Sequence, residues 1–189
     1  MPVPFPQSEG NSSVFKPLEQ DADIEFAENF SNLQGRFSYC VTENELAIQL
    51  LALFTARKWQ KIYCTETVIQ QTLTQAGLAL QYTSNLADCD AAITGCEYLV
   101  ARTGSIVMSS KQQSGRTTSV YAPVHICVAY TSQLVPDIKD ALGDIGSKYN
   151  KLPSLITFAS GPSRTADIEK TLVVGIHGPK EVFCFLVEG

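Results

Sequence analysis

Helix-period stretches and short apolar runs alternate along this chain. Ile24, Ala27, Phe30 and Leu33 recur at helical spacing and Gly35 stops them, which predicts a first helix. Residues 37–41 read as a short strand. Thr42, with Glu45 three residues later, makes a capping box that opens a second helix whose face is Leu46, Leu50, Leu53 and Phe54. A strand-like run at 61–64 precedes a helix marked by Val68, Ile69, Leu73 and Ala76 and ended by Gly77. Further strands are predicted at 91–94, 105–108 and 124–130, then a helix from Pro136 bearing Ile138, Ala141, Leu142 and Ile145. Strands at 155–159, 172–176 and 182–187 close the chain.

This alternation implies βαβ units and an α/β fold with a mostly parallel sheet covered on both faces. The last two strands are joined by only residues 177–181, too few for a crossover helix, so they are expected to pair as a C-terminal antiparallel hairpin. Residues 1–20, rich in Pro, Ser and Asn, read as an extended arm, and 21–189 as one domain.

The net charge of -5, with only 14 Lys and Arg and none clustered, argues against nucleic acid or an anionic membrane surface as a partner. The start MPVPFPQSEG has no apolar core of a secretory signal, and no run approaches the roughly 18 apolar residues of a membrane span, so a soluble, cytoplasmic protein is expected. Six cysteines (Cys40, Cys64, Cys89, Cys96, Cys127 and Cys184) are scattered without a CxxC or CxxxC pair. That spacing predicts reduced, buried thiols and no metal or iron–sulfur ligand set on this chain.

Chemistry concentrates near the C-terminus. The run at 155–159 (LITFA) reads as a buried strand that breaks into the loop SGPSRTADIE, and in an open α/β sheet such a strand end faces the ligand crevice. The loop offers hydroxyls on Ser160, Ser163 and Thr165, a close-approach glycine at Gly161, the Arg164 guanidinium, and carboxylates on Asp167 and Glu169. Hydroxyls, backbone N–H groups and Arg together suit a phosphate or carboxylate. The same residues also make an ordinary surface turn in which Arg164 pairs with Asp167 or Glu169. Thr103-Gly104-Ser105 repeats the hydroxyl-and-glycine pattern, and the two loops are candidates for opposite walls of one crevice.

Arg102 and Arg116 are candidate anion contacts or solvated surface arginines. His177, beside Gly178-Pro179, is a candidate general acid or base, or a structural turn residue, whereas His125 reads as a core histidine. Glu97 is either a carboxylate for a covalent role or an ordinary helix-starting residue. No Gly-x-Ser-x-Gly elbow, Walker loop or G-x-G-x-x-G is present, which argues against a serine hydrolase, a P-loop NTPase or an ordinary dehydrogenase.

Three blocks, SGPSRTADIE followed by TLVVG and HGP, ITGCEYLVARTGSIV at 93–107, and PVHICV at 123–128, closely resemble the LUD domain in order and spacing. This is the family of lactate-utilisation protein C and its YkgG-like relatives. The resemblance spans roughly residues 90–189, with Arg102 standing where the family has an acidic residue. It implies a three-layer Rossmann-like fold of the kind shared by ribose-5-phosphate isomerase, glucosamine-6-phosphate deaminase and CoA transferases. It also implies a subunit or accessory role in oxidising lactate to pyruvate, with clusters carried by iron–sulfur partner proteins and none by this chain. A stand-alone isomerase or CoA-transferase-like enzyme using Glu97 or His177, and a non-catalytic binder of a small anionic metabolite, are the alternatives. The substrate-binding set is then Thr103, Gly104, Ser105, Arg116, Ser160, Gly161, Ser163, Arg164, Thr165 and Asp167.

Overall fold

A computed structural model describes residues 18, 20–166, 172–174 and 178–189. The expected arm over 1–20 lies outside these apart from Leu18 and Gln20. Five parallel strands form the central sheet in the order β1 (Arg36–Cys40), β11 (Glu181–Val187), β6 (Val124–Tyr130), β3 (Ala91–Thr94) and β2 (Ile62–Tyr63). β6 and β11 are apolar at nearly every position because both faces of the sheet are covered.

One face, with Ile126, Val128, Phe183 and Phe185, packs on α2 (Glu43–Arg57) and α3 (Thr67–Gln75). The predicted cap of α2 is present: Thr42 Oγ1 accepts from the Glu45 N–H at 3.2 Å, while the Glu45 carboxylate accepts from the Val41 N–H at 2.8 Å. The buried face is Leu46, Leu50 and Phe54, with Ala47 added and Leu53 half-buried. Truncating Leu50 to Ala at this depth costs about 2–5 kcal/mol.

The other face is covered differently from expectation. A second sheet lies there, ordered β7 (Leu134–Val135), β4 (Tyr98–Val100), β5 (Ser105–Ser109) and β8 (Ile156–Ala159). β5 pairs antiparallel with both β4 and β8, and β7 runs parallel to β4. Leu99, Ile106 and Met108 meet Cys127, Cys184 and Leu186 across the gap, joined by Phe26 and Phe30 of α1 (Ala22–Asn32). The outer face of this sheet, Val100, Val107 and Val135, is closed by Ala141 and Ile145 of α5 (Ile138–Lys148). The layers therefore run α2/α3, parallel sheet, mixed sheet with α1, and α5. A four-residue helix, α4 (Thr118–Tyr121), leads into β6.

Two expectations change. The run at 155–159 is not a buried strand of the parallel sheet; β8 is an edge strand with one neighbour, and Phe158 is 36% exposed. A C-terminal antiparallel hairpin exists, but β9 (Arg164–Ala166) and β10 (Leu172–Val174) form it. β11 instead slots in parallel between β1 and β6, because its two apolar faces are stabilised only where both are buried.

Candidate functional site

The turn between β4 and β5 is pressed onto α1. Gly104 has φ +55°, and a Cβ there would stand 2.4 Å from the Phe30 backbone N. Only glycine tolerates both the left-handed conformation and that approach. Asn29 clamps the same turn, its Nδ2 donating to the Ala101 and Arg102 carbonyls at 3.0 and 3.1 Å. This aims Thr103 Oγ1 at Ser105 Oγ, 2.7 Å away.

The SGPSRT segment leaves β8 at the same end. Ser160 Oγ lies 2.6 Å from Ser105 Oγ, which joins the two predicted loops into one chain of three hydroxyls. Gly161, at φ +107°, lies where a Cβ would meet the Leu33 carbonyl oxygen at 2.4 Å. Arg164 Nη2 donates to that same carbonyl, at the C-cap of α1, where a guanidinium also complements the helix dipole. The Ser163 N–H donates to the Pro179 carbonyl at 2.9 Å, and Gly178 packs on the Ser163 side chain. The backbone of Thr165 pairs with Val173 in the hairpin. Asp167, Glu169 and His177 lie outside the described residues.

The loops thus meet as expected, but in direct contact and at an unexpected edge of the sheet. Leu33–Gly35 lead into β1 and Gly178–Lys180 into β11, so the cluster sits at the amino ends of the parallel strands, not at the carboxyl-end crevice. The reason is that β8 belongs to the mixed sheet and runs antiparallel to β5, so its end points the other way.

Glu97 and Arg116 do not join this cluster. Both belong to the opposite end of the mixed sheet, beside Ser109 and the residues preceding β8. Glu97 is 3% exposed. It pairs with Lys148 Nζ at 2.7 Å and accepts from Ser109 Oγ at 2.5 Å and Tyr149 OH at 2.8 Å. Burial alone would raise its pKa, but the bonds from Lys148, Ser109 and Tyr149 outweigh this and hold the carboxyl below its ordinary value. A carboxylate with both oxygens so engaged ties α5 to the mixed sheet; as a covalent nucleophile it has poor support. Arg116 is on the surface and donates through Nη2 to Ser154 Oγ. Arg102 forms a 2.7 Å ion pair with buried Asp137, the N-cap of α5.

His125 is a core residue, 1% exposed, with its Nε2 2.8 Å from Thr94 Oγ1. Burial lowers its pKa to about 4, so it is neutral at ordinary pH. All six cysteines are buried and free, and burial pushes Cys40 up to about 11 and Cys64 up to about 12. Such thiols are protonated and unreactive. Among the described residues, no group of three or more His, Cys, Asp or Glu is placed to hold a metal ion.

The sequence reading missed Asn29 and Leu33 as parts of this site, and Lys148 and Tyr149 as partners of Glu97. Asn29 left a trace, an amide one residue from Phe30 in an otherwise amphipathic helix. The Glu97–Lys148 pair spans 51 residues and has no local signature.

Comparison with known proteins agrees with this architecture. A DUF162 family protein from Deinococcus radiodurans superposes with a TM-score of 0.67 over 88% of this chain and 96% of its own, at 17% identity, which shows a common fold. Lactate utilization protein C of Halalkalibacterium halodurans is 39% identical over 101 residues, 52% of this chain and 44% of the relative. Lactate utilization protein C of Bacillus subtilis is 36% identical over 98 residues, and an uncharacterized protein of Neisseria meningitidis 35% over 100. These matches cover 41–44% of the relatives' own length. The LUD domain model matches residues 24–187, from the first turn of α1 through the end of β11, and the chain therefore belongs to the LUD domain family.

Proposed function

We propose that this chain serves lactate utilisation as a LUD-domain subunit or accessory factor, acting with iron–sulfur partner proteins that carry the redox centres for oxidising lactate to pyruvate. The observation that carries this reading is the identity to lactate utilization protein C, together with the meeting of two of the family's signature loops at Ser105 and Ser160. On this reading the Thr103–Ser105–Ser160 hydroxyls and the Arg164 guanidinium receive a small carboxylate. Arg164 spends one donor on Leu33, and a guanidinium has five. His177 is proposed as the acid–base group.

The test is genetic and biochemical together. Deletion should abolish growth on lactate but not on glucose, and the wild-type gene should restore it. Arg164→Ala should fail to restore it although the protein is folded and abundant. The tagged chain should retain iron–sulfur proteins on purification, with iron in the partners. Growth on lactate that survives deletion would sink the proposal. A second reading is a binder of an anionic metabolite without turnover, and it is supported by the chain of three hydroxyls beside the Arg164 guanidinium, which suits holding a carboxylate. Saturable lactate or pyruvate binding without turnover, in the presence of the partners, would select it.

A further inference from the structure

At the opposite edge of the parallel sheet, the carboxyl ends of β3 and β6 open into a cleft of about 260 Å³, lined neither by the Thr103–Ser105 turn nor by Ser160–Arg164. α3, which leads from β2 to β3, lies on one face of the sheet, and the chain leaving β3 passes to the other face to build β4 and β5. A reversal of this kind leaves a crevice at the carboxyl ends of the strands. Leu46, Ile69 and Val128 give its lining an apolar surface. Glu66, Thr72 and Tyr130 add polar atoms to the same lining.

The charge there is one-sided. Glu66 follows β2 and reaches across to β3, where Oε2 accepts from the Gly95 N–H at 3.1 Å. A Cβ on residue 95 would stand 3.0 Å from that oxygen, so the glycine keeps the reach open. Glu66 Oε1 is buried and, among the described residues, accepts no hydrogen bond. Tyr130 OH already donates to Glu43 Oε1 at 2.8 Å, and Gln133 Nε2 is held by the Cys96 carbonyl at 2.6 Å. Among the described residues, no Lys, Arg or His lines the cleft, and neither Glu43 nor Glu66 has an ion-pair partner. A buried carboxylate oxygen without a donor is costly, and the group that relieves it is a donor, preferably a cation.

We infer that this cleft is a second ligand site, selective for a small primary amine whose ammonium group meets Glu66 and whose apolar body lies on Leu46, Ile69 and Val128. The site is independent of the anion-binding loops and takes ligands of opposite charge.

Three four-carbon probes with different heads, butylammonium, butanol and butyrate, test it through methyl NMR shifts of the full chain at neutral pH. Butylammonium should give saturable shifts at Leu46, Ile69 and Val128, and bind about tenfold or more tighter than butanol, with butyrate weaker still. Glu66→Gln should bring butylammonium down to the level of butanol. Val68, 69% exposed at the rim, offers a variant that does not disturb the core: Val68→Trp should block all three probes with the melting temperature unchanged. Binding of butyrate or butanol as tight as the amine, unchanged amine binding in Val68→Trp, or no saturable shift at these methyls would each overturn the inference.

Discussion

Ser105 and Ser160, 55 residues apart in sequence, share an Oγ–Oγ hydrogen bond of 2.6 Å. Through it the first residue of β5 and the residue that follows β8 hold the signature loops as one unit, with Thr103 Oγ1 continuing the chain at 2.7 Å. Removing the Ser160 hydroxyl leaves Ser105, 3% exposed, with Thr103 as its hydroxyl partner, and removing the Ser105 hydroxyl cuts the chain at its middle.

Ser105→Ala and Ser160→Ala should each cost about 1–2 kcal/mol of unfolding free energy, and the double variant little more than either single one. Denaturant unfolding of the four proteins gives the coupling directly. Strict additivity would show that the two hydroxyls do not act on each other.

Gly104 and Gly115 separate backbone strain from steric clash. Both have positive φ, +55° and +68°, but a Cβ at 104 would stand 2.4 Å from the backbone of α1 whereas at 115 nothing lies within 4 Å. Gly115→Ala should cost about 1 kcal/mol for conformation alone, and Gly104→Ala about 3 kcal/mol or more, because a helix backbone cannot step aside. Equal losses in thermal melts would mean that α1 yields readily.

How much of this was legible in sequence follows from what is local. The cap of α2 by Thr42 and Glu45, its face of Leu46, Leu50 and Phe54, and the alternation that makes a parallel sheet depend on residues a few positions apart, and the pattern displays them. Strand partners are not local. β4 and β7 are three and two residues long, too short to show a period, so only β5 and β8 of the mixed sheet were predicted as strands and nothing marked them as a second sheet. Nothing in the run over Glu181–Val187 states that β1 and β6 flank it. The site followed the same division. The hydroxyls and glycines of the two loops could be named, but Glu97 was drawn toward chemistry because Lys148 and Tyr149 lie 51 and 52 residues away.

The buried His125 sets a pH dependence with a definite sign. Its folded pKa, about 4, lies below the ordinary 6.5, so between these values the unfolded chain takes up a proton that the folded protein refuses. Stability should fall as pH drops from about 6.5 to about 4, by about 3 kcal/mol in all, and His125 should add no further loss below that. His125→Asn, which can still bond to Thr94, should flatten the profile in this window relative to wild type. Urea unfolding at closely spaced pH values checks it, and parallel profiles would show that the ring is not the group responsible.

Glu97 and Lys148 decide between scaffold and chemistry. Lys148→Met removes the cation beside a carboxylate that is only 3% exposed; because Lys148 is half exposed and Ser109 and Tyr149 still bond Glu97, this should destabilise by about 1–2 kcal/mol. Glu97→Gln keeps the shape and some of the hydrogen bonds but loses the charge, and should cost about 1–2 kcal/mol. The folded carboxyl is held below its ordinary value, so its contribution is complete above about pH 4.5 and disappears as pH falls through the folded pKa. Acid unfolding of Glu97→Gln should accordingly be less steep than that of wild type. A covalent role for Glu97 predicts the reverse pattern, with unchanged melting and no restoration of growth on lactate in the deletion strain. Tying α5 to the mixed sheet predicts lower melting, with growth reduced only as far as the level of folded protein is reduced. Measuring melting temperature, soluble protein level and growth on lactate for the same two variants separates these outcomes.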